Sequence, residues 1–255
     1  MFPAMNGARP VARPAIAGRT RALVAAIAMA LGGPATGQET FSAVFDLTLR
    51  GIHAGTLSVS GAIEGQSYAA AGVLKSGGLV ALVRKVRYDA RVQGTYRDGR
   101  FVPRQYVEDA DTGKRKSRAV MDYVNGVPQL KKYDPPRKSR SGDIDPATQG
   151  GTVDPLTALF AALRDVPRAE ACDLSLTLFD GKRRSQVRIG TPVTDGNGLR
   201  CNGEYRRLAG FSEKEMAEKT RFPFTMRLQP GPDGRMKVVE VSMDTIYGKG
   251  RLERR

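Results

Sequence analysis

From residue 41 to residue 243 the sequence repeats one pattern: short runs in which apolar and polar side chains alternate, broken by turn-forming pairs. A period of two is the geometry of a strand with one buried and one wet face, because successive side chains leave the pleat on opposite sides. Phe41, Ala43, Phe45, Leu47 and Leu49 form the first apolar set, with Ser42, Asp46, Thr48 and Arg50 between them and Val44 as the exception. Residues 56–63 and 68–74 read as a second and a third strand. A fourth is the clearest: Val86, Tyr88, Ala90, Val92 and Tyr96 face one way, and Arg87, Asp89, Arg91, Gln93 and Thr95 the other. Arg97-Asp98-Gly99-Arg100 and Val124-Asn125-Gly126-Val127 carry Asp-Gly and Asn-Gly pairs, which accept positive φ and close two-residue hairpins. Asp180-Gly181 separates strand-like residues 174–179 from 185–189, and Gly231-Pro232-Asp233-Gly234 separates 222–228 from 237–243. Strands joined this way run antiparallel.

One segment follows a helical period instead. Asp154 is placed to cap, Pro155 suits a first helical position, and Leu156, Leu159, Phe160 and Leu163 form an i, i+3, i+4, i+7 stripe that ends near residues 164–167. Shorter helical turns are expected at 78–83 and 213–219. Residues 134–151, rich in proline, glycine and charge, read as a mobile loop. The fold class that follows is mainly β: a strongly curved antiparallel sheet or incomplete β-barrel, with one α-helix covering its mouth or concave face. Such shapes commonly hold ligands.

Residues 1–37 carry Arg9, Arg13, Arg19 and Arg21 without an acid, and lead into the apolar run 22–31. That run is half the length a bilayer span needs. Gly32, Gly33 and Pro34 then break a helix, and Ala35-Thr36-Gly37 places small residues where signal peptidase reads them. The expectation is a cleavable signal peptide over 1–37, followed by a single β-rich domain over 38–255, exported by the general secretory route to the periplasm. No transmembrane segment remains after cleavage. A mitochondrial presequence or a buried helix is the rival reading, and the Gly-Pro break argues against both.

Cleavage lowers the formal charge of +15 by four and leaves a strongly basic domain, drawn to polyanions. Export removes nucleic acid as the partner and leaves a lipid headgroup or another anionic envelope component. Plain solubility is the other account of the charge. The two cysteines, Cys172 and Cys201, are expected to pair as a disulfide in an oxidising compartment.

No catalytic constellation stands out. His53 is the one histidine, which excludes multi-histidine metal sites; no acid stands beside it in sequence, and no serine has the Gly-x-Ser-x-Gly surroundings of a nucleophile. Neither a metal nor a cofactor is implied. Glu108, Asp109, Asp111, Asp143 and Asp145 lack a calcium-loop pattern and read as solvated loop residues. Ser76-Gly77-Gly78 lacks the lysine of a phosphate loop. Candidates for an apolar ligand face are Tyr88, Tyr96, Phe222, Phe224 and Met226, for which core packing is the alternative. Candidates for an anion site are Arg115, Lys116, Arg137, Lys138, Arg183 and Arg184, which only a fold that gathers the hairpins would bring together.

The order of several motifs resembles a bacterial family. They are the opening strand and turn through Leu49-Arg50-Gly51-Ile52-His53-Ala54-Gly55, Lys75-Ser76-Gly77-Gly78-Leu79 and Phe101-Val102-Pro103-Arg104-Gln105-Tyr106. They continue with Asp154-Pro155-Leu156-Thr157-Ala158-Leu159, Cys172, Phe179-Asp180-Gly181-Lys182-Arg183-Arg184, Cys201, and Tyr205 leading to Leu208-Ala209-Gly210-Phe211. The chain is similar in these to domain-of-unknown-function family 3108. The resemblance implies an exported envelope protein with a largely antiparallel β fold, similar in outline to periplasmic lipoprotein carriers of the Lol type, and no catalytic residue to carry over. The expected function is a non-enzymatic binding or carrier module for a lipidic or anionic envelope ligand. An envelope assembly factor binding peptidoglycan or an outer-membrane partner, and a hydrolase with an unrecognised site, are the alternatives.

Overall fold

The structure is a computed structural model that describes residues 38–83, 85–136 and 142–255; the expected leader, Arg137 and Lys138 lie outside the described residues. The first seven strands are β1 (Glu39–Leu49), β2 (Ile52–Glu64), β3 (Ser67–Ser76), β4 (Arg87–Arg97), β5 (Arg100–Asp111), β6 (Lys116–Val124) and β7 (Val127–Asp134), with a short helix α1 (Gly78–Val83) after β3. Helix α2 (Pro155–Leu163) follows. Then come β8 (Leu174–Phe179), β9 (Arg184–Asp195), β10 (Gly198–Ala209), a short helix α3 (Glu213–Glu218), β11 (Arg221–Pro230), β12 (Met236–Thr245) and β13 (Gly248–Arg254).

All thirteen described strands belong to one antiparallel sheet, in the order β7-β6-β5-β4-β3-β2-β1-β13-β12-β11-β10-β9-β8. Two meanders therefore meet where β1 pairs with β13, with Leu47 opposite Leu252. The chain's last residues are thus built into the middle of the sheet. The free edges are β7 and β8, and the segment between them carries the chain from one edge to the other.

That segment blunts the edges. Val153 bridges to Leu178 in parallel, with Val153 N–H donating to the Thr177 carbonyl at 2.9 Å and Phe179 N–H donating to the Val153 carbonyl at 2.9 Å. On the other side Gly151 N–H donates to the Gly126 carbonyl in the β6–β7 turn at 3.0 Å. A strand edge left open is a pairing surface, and covering it closes the barrel-like wall. The expectation of a mobile loop over 134–151 is corrected here for its last part: Asp145 caps a 3₁₀ turn at Pro146–Thr148, and Gln149 is buried.

Local chemistry placed the turns. Asp98 and Gly99 (φ 50° and 75°), like Asn125 and Gly126 (φ 51° and 74°), take the left-handed conformations of two-residue hairpins. The Asp154 carboxylate accepts from Thr157 N–H at 2.9 Å and caps α2, with Pro155 at its first position. Ser212 and Glu215 form a capping box on α3, in the expected 213–219 region.

α2 lies against the concave face, and two glycines let it approach. A Cβ at Gly61 would stand 2.7 Å from Phe160 Cε2, and one at Gly72 would stand 2.8 Å from Leu156 Cδ1. Leu156, Phe160 and Leu163 thereby join Phe41, Phe45, Val59, Tyr68 and Val92 in one core. Cys172 and Cys201 form the expected disulfide, tying the exit of the crossover to β10. No described helix is long and apolar enough to cross a membrane.

Candidate functional site

α2 fills the concave face unevenly. Beside its first turns an apolar groove of about 390 Å³, open on one side, remains, lined by Leu47, Leu57, Leu74, Tyr88, Leu159 and Leu252, with Gly72, Ala90, Pro155 and Leu156 completing the apolar wall. That volume is in the range of small-molecule sites. The lining follows from strand parity: Leu57 pairs with Leu74, and Leu74 with Tyr88, so their side chains share the concave face.

Two polar side chains enter this apolar wall, Tyr106 and Glu108. They are two apart on β5 and so share a face, and the Tyr106 hydroxyl donates to Glu108 Oε2 at 2.7 Å. Burial holds the Glu108 carboxyl above the usual range, the hydrogen bond from Tyr106 draws it back, and the nearby Asp180 and Asp109 charges raise it again. Among the described residues no Lys, Arg or His lies within ion-pair distance of Glu108. Its placement corrects the expectation of a solvated loop, since Glu108, Asp109 and Asp111 all lie in β5. The signal was in the sequence: Tyr106 and Ala110 flank Glu108 at the same parity.

A second buried acid sits at the head of α2. Asp154 is fully buried and accepts from the Thr157 hydroxyl at 2.6 Å. Tyr68 Oη lies 2.7 Å from the same Thr157 oxygen. Thr157 has one proton and gives it to the carboxylate, so Tyr68 is the donor to Thr157. Burial pushes the Asp154 carboxyl up to about 6, against the hydrogen bonds from Thr157.

The other expected residues are dispersed. Of the five apolar candidates Tyr88 borders the cavity. Tyr96 lies at the far end of α2, its ring 4.5 Å from Phe101 and its hydroxyl accepting from Arg164 Nη2 at 3.2 Å. Phe222, Phe224 and Met226 lie on β11 and are buried. Phe222 packs under Arg207 and Lys219, each 5.0 Å from its ring centre, and Met226 stands opposite the disulfide at Cys201.

The basic candidates occupy separate hairpins, each with its own contact. Arg115 lies over Tyr133 at 5.2 Å, and Lys116 is exposed, 3.6 Å from Asp111. Arg183 pairs with Glu215 at 2.8 Å and lies over Phe211. Arg184 reaches Gln149 at 3.4 Å. His53 has an acid beside it after all: β1–β2 pairing brings Asp46 Oδ1 to 3.9 Å from its Nδ1. Arg255 already engages both oxygens of Asp46, at 2.7 and 3.0 Å, and holds that carboxyl below its ordinary value. Among the described residues no serine or threonine hydroxyl hydrogen-bonds to His53.

The family described as "Protein of unknown function (DUF3108)" matches residues 44–197. No curated protein matches the chain. Among solved structures, the chain is similar to the crystal structure of a beta-barrel-like protein of domain of unknown function DUF1849 from Brucella abortus, at 14% identity. The alignment covers 85% of this chain and 95% of that one, with a TM-score of 0.46.

Proposed function

This chain belongs to the DUF3108 family, and we propose that it is a non-enzymatic binding or carrier module of the periplasm that shields an alkyl or acyl chain on its concave face. The observation that carries this reading is the apolar cavity beside the first turns of α2. A groove of that kind, walled mainly by leucines and two tyrosines, favours a hydrocarbon over water because each buried CH₂ contributes about 0.8 kcal/mol. The periplasmic assignment rests on the leader pattern at 1–37 and is supported by the Cys172–Cys201 disulfide. The non-catalytic assignment is supported by the burial of Asp154, whose contact with the Thr157 hydroxyl no solvent-borne substrate reaches.

The test is native mass spectrometry of the protein purified from an exporting Gram-negative host, alongside Leu159→Trp, which projects an indole into the cavity. A co-purifying or added alkyl species at fixed stoichiometry on the wild type, displaced in the variant, is the expected result. A wild type that takes up no alkyl species would sink the reading and move the weight to an envelope assembly factor, for which partner capture is the next experiment.

A further inference from the structure

We infer that the ligand's polar end is a hydrogen-bond donor, an amine or a hydroxyl at the end of an alkyl chain, received by Glu108, and that an anionic head is disfavoured; this rests on the carrier reading above. Glu108 lines a wall that is otherwise apolar apart from Tyr106. Tyr106 serves Oε2, and among the described residues no other hydrogen bond and no ion pair reaches the carboxylate. Glu108 is half-buried, and the oxygen that Tyr106 does not engage is open to the groove. A carboxylate oxygen only accepts, so an incoming O–H or N–H can take the place of water there while its alkyl chain lies along the apolar wall.

Charge points the same way. The groups that act electrostatically on Glu108 are Asp180 and Asp109, both acids, and their effect is to disfavour its ionised form. On the neighbouring β4–β6 rim Arg87 pairs with Asp89, Lys116 with Asp111 and Arg118 with Asp109. An anionic head brought to this carboxylate would add a like charge in a poorly solvated place, whereas an ammonium would gain an opposite one. The basic character of the whole chain therefore misleads about this site. Among the described residues that line the groove there is no Lys, Arg or His, and Glu108 is the one carboxylic acid.

The experiment is isothermal titration calorimetry at pH 8 with decylamine, decanol and decanoate, each below its micellar concentration. The expected order is amine, then alcohol, then carboxylate, with the amine at least about tenfold tighter than the carboxylate, a difference of about 1.4 kcal/mol. In Glu108→Gln the amine should lose its advantage over the alcohol while decanol binding persists. Tyr106→Phe keeps the carboxylate and should keep the preference, which guards against a Glu108 variant that fails to fold. Decanoate binding as tightly as decylamine would overturn this inference and leave the carrier reading standing. Binding of none of the three would overturn both.

Discussion

The two ends of α2 meet the same sheet on different terms. At its C-terminal end Phe160 is surrounded by rings: Phe41 at 6.0 Å, Phe101 at 5.9 Å and Tyr68 at 6.4 Å. Just beyond, Arg164 pairs with Glu39 and Glu170, Asp165 holds Arg254 at 2.7 Å, and the disulfide joins the following turn to β10. Toward its N-terminal end Leu156 packs onto Gly72, but Pro155 and Leu159 are only half-buried and face leucines, Tyr88 and Ala90 across an open groove. Strand alternation is equally regular at both ends. What differs is side-chain size, and with it whether the sheet can reach the helix. One end therefore holds the fold together, and the other has room for a guest.

This division is testable. Paired truncations on α2 should give the largest contrast: Phe160→Ala should destabilise by about 3–5 kcal/mol because it opens a cavity among close-packed rings, whereas Leu159→Ala, already beside a void, should cost about 1 kcal/mol. Urea unfolding measures both, and equal losses would erase the distinction between the ends. Next in size is the double change Cys172→Ser, Cys201→Ser. The closed loop spans a sequence separation of 29, and releasing it should cost about 3–4 kcal/mol through the freedom regained by the unfolded chain. Alkyl binding should be unchanged, since the bridge lies at the packed end; a lost binding site would show that the ends are coupled.

The smallest effect concerns Asp154. Its folded-state carboxyl is pushed up to about 6, above the ordinary 3.8, so the folded protein holds that proton more tightly than the unfolded chain does. The associated stability is fully present below the unfolded value and is lost as pH rises through about 6, by up to roughly 3 kcal/mol. Asp154→Asn keeps a good capping side chain and removes the titration. The wild-type stability measured relative to this variant should therefore fall between pH 4 and pH 7. A flat difference would mean that the cap does not titrate in that window.

Much of the fold was legible because it is local. Phe41, Ala43 and Phe45 are buried as their alternation requires, and the Asp-Gly and Asn-Gly pairs sit in the turns they suit. The bounds of α2 follow from Asp154, Pro155 and a four-residue stripe. The candidate site was legible only in Tyr88. Tyr96 and Phe222 satisfy the same pattern yet pack against Arg164 and Arg207, because alternation reports which face a residue is on and not what lies opposite. Glu108 was passed over for the converse reason: an acid at an inward position looks like a break in the strand until its neighbours are known.

The sequence by itself determined the strand faces, the hairpins, the capped helix and the availability of two cysteines, all consequences of backbone preferences and of burial period within a few residues. Tertiary structure alone decided that β13 closes against β1, that α2 rests on Gly61 and Gly72, and that the space left over falls at one end beside Glu108. These depend on which side chains of distant strands meet across the concave face, and on their summed volumes, quantities that no local pattern contains.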